Sequence, residues 1–135
     1  MGASPLRPRT DPRPPTPRQR LGAQTEQLAA RVLQQAGFVI LERNYRCRGG
    51  ELDLVARRGT LLVIAEVRLR SSEAFGGAAQ SITAAKRRRI LRAARHLLQR
   101  RSRLAMLTVR FDALLAANAA GPIEWIEAAF NADRS

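Results

Sequence analysis

Hydrophobic positions recur at helical spacing near the start of the chain. Leu21, Leu28, Val32 and Ala36 fall near one face, and Gly37 supplies a stop, so the spacing predicts a helix from Leu21 to Ala36. The run Phe38-Val39-Ile40-Leu41 then reads as a strand that continues through Asn44-Tyr45-Arg46, and Gly49-Gly50 marks a tight turn. Glu51 to Ala56 reads as a second strand, Arg58-Gly59 as another turn, and Thr60 to Arg68 as a third strand. These three form a meander. Ser71 to Gly77 reads as a loop and the stretch from about Ala79 to Arg100 as a long helix. On that helix Arg88, Arg92, Arg95 and Gln99 line one face, and Ile82, Ile90, Ala93, Ala94, Leu97 and Leu98 line the other. Leu104 to Phe111 reads as a fourth strand, Gly121-Pro122 as a break, and Ile123 to Ile126 as a candidate fifth strand. A helix between strands three and four implies a right-handed crossover and a parallel pair there. The order is α-β-β-β-α-β, an α/β class with a mixed sheet flanked by helices.

Strand parity brings two acids together. Side chains alternate along a strand, so Glu51, Asp53 and Val55 share one face of the second strand, and Leu62, Ile64, Glu66 and Arg68 share one face of the third. Partners across the Arg58-Gly59 turn carry numbers summing to about 117–119. Asp53 then lies opposite or next to Glu66, with Cβ atoms on the order of 5 Å apart. Two carboxylates so close repel unless a cation or a shared proton sits between them. One reading is a site for a hard divalent ion, because magnesium takes oxygen ligands and can activate water against a phosphodiester. The other is a solvated strand end whose acids pair with arginines.

Two further residues carry the same double reading. Glu26 has Gly22, Ala29, Ala30 and Leu33 around it at helical spacing; it either points inward over the sheet or is an acid of the first helical turns, favoured by the dipole. Lys86 lies on the stripe Ile82, Lys86, Ile90, Ala93, Leu97, where a cation either snorkels to water or meets an acid.

Composition changes the picture in one direction. The chain has 135 residues, enough for one domain with a real core, and 24 Lys and Arg against 11 Asp and Glu give a net charge of +13. That excess suggests a polyanionic partner, phosphate backbones first and an anionic membrane surface second. Lys86 is the one lysine among the basic residues, so a lysine here stands out against arginine. No apolar run approaches the ~18–20 residues needed to span a bilayer. The basic N-terminus is not followed by an apolar segment, so no secretory signal is expected, and a lone cysteine, Cys47, fits the reducing cytoplasm. One Cys and one His, His96, argue against a thiolate or imidazole metal centre. Residues 1–20 hold six of the seven prolines and read as a disordered basic tail ahead of a domain spanning residues 21–135. His96 reads as structural or solvated, Cys47 as a small strand-end residue, Trp125 as core, and Asp112 as the end of the fourth strand.

Taken in order, the motifs resemble a known family. They are Glu26 in the first helix, Asn44-Tyr45-Arg46, Gly50-Glu51-Leu52-Asp53-Leu54, Glu66-Val67-Arg68, Phe75-Gly76, Ser81-Ile82, Lys86, Arg110-Phe111-Asp112, and Ile-x-Trp-Ile before Ala129-Phe130. From about Leu21 to Phe130 the chain resembles the YraN family, bacterial proteins regarded as candidate endonucleases of the restriction-endonuclease-like PD-(D/E)XK superfamily and similar to archaeal Holliday junction resolvases. The resemblance implies a three-layer core and Mg2+- or Mn2+-dependent hydrolysis of DNA, branched or damaged DNA included. It implies metal ligation by Glu26, Asp53, Glu66 and the Val67 carbonyl, with catalytic work shared by Asp53 and Glu66. The catalytic lysine slot of that superfamily holds Arg68, which neutralises charge but is a poor base or proton donor. Lys86, from the neighbouring helix, is the candidate substitute. The family's Asn two residues before Phe130 is Ala128 here. Paired cuts in a junction would need a homodimer. A DNA-binding module that kept the fold without cutting is the second expectation. An RNA-associated protein is the third, and 4% aromatic residues supply no obvious stacking platform for it.

Overall fold

The structure is a computed structural model that describes residue 14, residues 16–69 and residues 82–131. It comprises α1 (Pro17–Gln35), β1 (Val39–Cys47), β2 (Gly50–Arg58), β3 (Leu61–Leu69), α2 (Ala84–Arg100), a 3-10 segment (Ser102–Met106), β4 (Thr108–Ala116) and β5 (Ile123–Phe130). The strands form one mixed sheet in the order β1-β2-β3-β4-β5. β1 to β3 are an antiparallel meander, β3 and β4 run parallel, and β5 returns antiparallel to β4. This is a mixed α/β fold with a helix on each face of the sheet. α1 contributes Ala29, Ala30 and Leu33 to a core with Leu54, Ala56, Val63 and Ala65. α2 contributes Ile90, Ala93 and Leu97 to a core with Val55, Leu62, Ile64 and Ala113 on the opposite side. The alternation along β3, Leu62 and Ile64 one way and Val63 and Ala65 the other, is what lets one strand serve both cores.

Several element bounds depart from the sequence pattern. α1 starts at Pro17, inside the stretch assigned to a tail. Thr16 accepts from the Gln19 N–H and its own N–H donates to Gln19 Oε1, a reciprocal cap that hydrophobic spacing does not register. Residues 1–13 and 15 of that tail lie outside the described residues, as does the loop expected over Ser71 to Gly77. α2 starts later than expected: Thr83 Oγ1 accepts from the Lys86 N–H, so the helix opens at Ala84. Leu104 opens no strand; it is buried within the 3-10 segment, and β4 begins four residues on at Thr108. The candidate fifth strand is a full edge strand of eight residues.

The β4–β5 junction turns on Asp112, which is fully buried. Its carboxylate accepts two bonds from Arg110, one from Trp125 Nε1 at 2.8 Å and one from the Ala128 N–H at 3.0 Å. Pairing shifts register between Phe111 and Ala113, and the bulged stretch of β5 holds Ala128 at φ 52°. A buried carboxylate with four donors is fully compensated, so Asp112 is a structural clamp. We expect Asp112→Ala to strand the Trp125 and Ala128 donors and cost about 3 kcal/mol, measured by denaturant unfolding. An alanine in the left-handed region is strained where asparagine is tolerated. Ala128→Asn should therefore raise stability by about 0.5–1 kcal/mol in the same assay.

Candidate functional site

Asp53 sits where the β2–β3 ladder ends. The register pairs run from Arg58↔Leu61 to Leu54↔Ala65, each summing to 119, within the range set by the Arg58-Gly59 turn. The next step would set Asp53 against Glu66 and Leu52 against Val67. Instead the Val67 N–H donates to Asp53 Oδ2 at 2.9 Å. A side chain replaces a main-chain acceptor, and the two strands part. In a strand the N–H and C=O of one residue face the same neighbour, so the Val67 carbonyl lies on the Asp53 edge of β3.

Both acids are buried, Asp53 8% and Glu66 5% exposed. The two carboxyls act on each other, Asp53 raising Glu66 and Glu66 favouring the Asp53 anion. Burial, then the charge of Asp53, pushes the Glu66 carboxyl up to about 7 against the opposing pull of Lys86. Burial also raises Asp53, against the Val67 N–H and Lys86, which favour its anion. The solvated strand end, with each acid held by an arginine, is thereby overturned. Glu66 meets Lys86, whose Nζ stands 3.0 Å from Glu66 Oε2 and 3.9 Å from Glu51 Oε2. Lys86 arrives on the inward stripe of α2, one turn before Ile90, so of its two readings the structure selects the acid partner over the snorkel.

Glu26 approaches from α1, one turn before Ala29 and Ala30. With α1 opening at Pro17, Glu26 lies two turns past the helix start, so its reading as a first-turn acid favoured by the dipole does not hold. Burial and then the charge of Asp53 raise its carboxyl, while the Asn44 side chain hydrogen-bonds it. Asn44 adopts φ 52°, a left-handed conformation that asparagine tolerates, which accounts for its place in Asn44-Tyr45-Arg46. Arg68 follows Glu66 on the same face of β3, half-buried, with no carboxylate in ion-pair distance among the described residues. As the side chains stand, no three His, Cys, Asp or Glu among the described residues are gathered closely enough to hold an ion. Tyr45 and His96 form a link the sequence did not announce: the Tyr45 hydroxyl lies 2.6 Å from His96 Nδ1 and ties β1 to α2.

A model of uncharacterised protein family UPF0102 matches residues 25–116. The chain belongs to this family. It is 50% identical to a UPF0102 protein of Nitrosomonas europaea over 111 residues, covering 82% of this chain and 92% of that protein. It is also 50% identical to one of Methylobacillus flagellatus over 113 residues, covering 83% and 97%. A relative in Cupriavidus metallidurans is 47% identical over 120 residues, covering 88% and 87%. The YraN-type resemblance is thus a family membership. The UPF0102 match encloses Glu26, Asp53, Glu66, Lys86 and Asp112, whereas the β5 donors to Asp112, Trp125 and Ala128, lie beyond its end. No helix among the described residues is long and apolar enough to cross a membrane.

The raised Glu66 carboxyl has a thermodynamic consequence. A native state that holds a proton its unfolded chain would release is stabilised below the ordinary value of 4.5, and that stabilisation fades as pH rises through about 7. Without divalent ions, wild type should lose about 2 kcal/mol relative to Glu66→Gln between pH 5 and pH 8. Denaturation midpoints of both proteins at the two pH values check this; a constant difference would contradict it.

Proposed function

We propose that this UPF0102 protein is a metal-dependent DNA endonuclease of the restriction-endonuclease-like PD-(D/E)XK type, hydrolysing phosphodiester bonds with Mg2+ or Mn2+. The observation that carries this reading is the buried Asp53–Glu66 pair at the parting of β2 and β3. Two buried carboxyls held so close, both raised, cannot both ionise unless a cation joins them. The layering of α1, sheet and α2 and the net charge of +13 support the same reading.

The donors that would hold a hard divalent ion are oxygens, the Asp53 and Glu66 carboxylates and the Val67 carbonyl on the same edge, with Glu26 of α1 drawn in from within the reach of the Asp53 charge. When bound, such an ion activates water and neutralises charge on the phosphodiester. The chain's own residues do the rest. Asp53 stays fixed by the Val67 N–H. Arg68 offers the scissile phosphate a guanidinium that cannot be deprotonated, so it stabilises charge without moving a proton. Lys86 supplies the compact ammonium absent from the Arg68 position, 3.0 Å from Glu66. Paired cuts in branched DNA would need two copies of the chain.

That same 3.0 Å contact favours a second reading, a DNA-binding module that does not cut. Lys86 already stands against Glu66 where an ion would. Calorimetric titration with Mg2+ and Mn2+, with and without DNA, separates the two: no heat in any arm favours the module. For the nuclease, linear and branched DNA should be cut by wild type with either metal. Asp53→Ala should cut at least ~100-fold more slowly, and Lys86→Met on the order of tenfold more slowly. Equal cutting by wild type and Asp53→Ala would mark a contaminant and end the nuclease reading.

A further inference from the structure

We propose that the solvent face of α2 and the β1–β2 turn form one platform that grips the phosphate backbone of duplex DNA beside the acidic centre. The choice of DNA rests on the nuclease reading. Arg48 on the turn and Arg88, Arg89 and Arg92 on α2 are exposed, and none of the four meets a carboxylate within ion-pair distance among the described residues. Several arginines elsewhere are occupied: Arg58 donates to the Ala36 carbonyl, Arg101 pairs with Glu42 and Arg110 with Asp112.

The turn packs directly against the helix. A Cβ on Gly50 would collide with the Arg89 carbonyl and come within 2.9 Å of the Ala93 nitrogen, so the turn lies directly on the helix backbone. Gly49, at φ 82°, lies under the Arg92 guanidinium: a Cβ there would stand 2.8 Å from Nη1. Between them is a pocket of about 220 Å³ lined by Gly49, Ala85, Arg88, Arg89 and Arg92. That is below the ~300 Å³ at which small-molecule pockets begin. Its walls are cationic, with no aromatic ring on which a base could stack, which suits a phosphate group of a duplex backbone and not a splayed single strand. The platform runs into the acidic centre, since Glu51 follows Gly50 and lies 3.9 Å from Lys86.

Anisotropy of a fluorescein-labelled DNA duplex, titrated with the full chain in EDTA across a KCl series, tests the platform. The double variant Arg88→Ala/Arg92→Ala is compared with Arg31→Ala/Arg103→Ala, which removes the same charge from exposed sites elsewhere. The platform pair should reduce the slope of log affinity against log salt by about 2, and the control pair should leave it unchanged. Equal slopes for the two pairs, no binding by wild type, or displacement of the duplex by RNA duplex or phosphatidylglycerol vesicles more readily than by unlabelled DNA would each overturn the proposal. Should Asp53→Ala cut as fast as wild type while the platform slope falls by about 2, the nuclease reading fails and the platform stands. Should cutting depend on Asp53 while that slope is unchanged, the platform alone fails.

Discussion

Like charges held out of water set the terms for the rest of this molecule. Asp53 and Glu66 lie side by side with almost no solvent contact, and both cannot be anions there without a compensating cation or proton. Three local features answer that constraint. The Val67 N–H leaves the strand ladder for Asp53. Burial raises both carboxyls towards their neutral forms. Lys86 is brought in on the one α2 face that points at the sheet. Each works against regular structure, through a lost ladder bond or a cation on an apolar stripe. Such departures mark places where packing alone does not decide the residue.

Asp112 is the instructive contrast. It is more deeply buried than either acid of the pair, yet four donors satisfy it. Nothing about Asp112 calls for a ligand, and its work is to fix the bulge that holds β5 on the sheet. Burial does not separate a structural carboxylate from a functional one; what remains uncompensated after the local hydrogen bonds are counted does.

Much of this was legible in the sequence because strands have a fixed parity and tight turns fix register. Those two rules placed Asp53 against Glu66, and the helical period placed Lys86 inward. The start of α1 was not legible, because a capping box at Thr16 and a proline at the first turn leave no hydrophobic period. Neither was the start of β4, where Leu104 is buried from a 3-10 turn and looks like strand in a one-dimensional pattern. The Tyr45–His96 link and the Asp112 clamp join residues 51 and 13–16 positions apart. Pairing of that kind depends on how elements stack, which spacing within one element does not encode. The motif Arg110-Phe111-Asp112 and the Trp125 motif could have been linked as donor and acceptor by their chemistry, had the register of β5 been known.

The proposed activity stands or falls on whether the acidic pair takes a cation. Crystals grown with Mn2+, with data collected at the manganese edge, address this most directly. The expected result is one anomalous peak between the carboxylates of Asp53 and Glu66 and near the Val67 carbonyl, with the Lys86 ammonium displaced from Glu66. A map with no peak there, and Lys86 still bonded to Glu66 in saturating Mn2+, would contradict a metal-dependent centre.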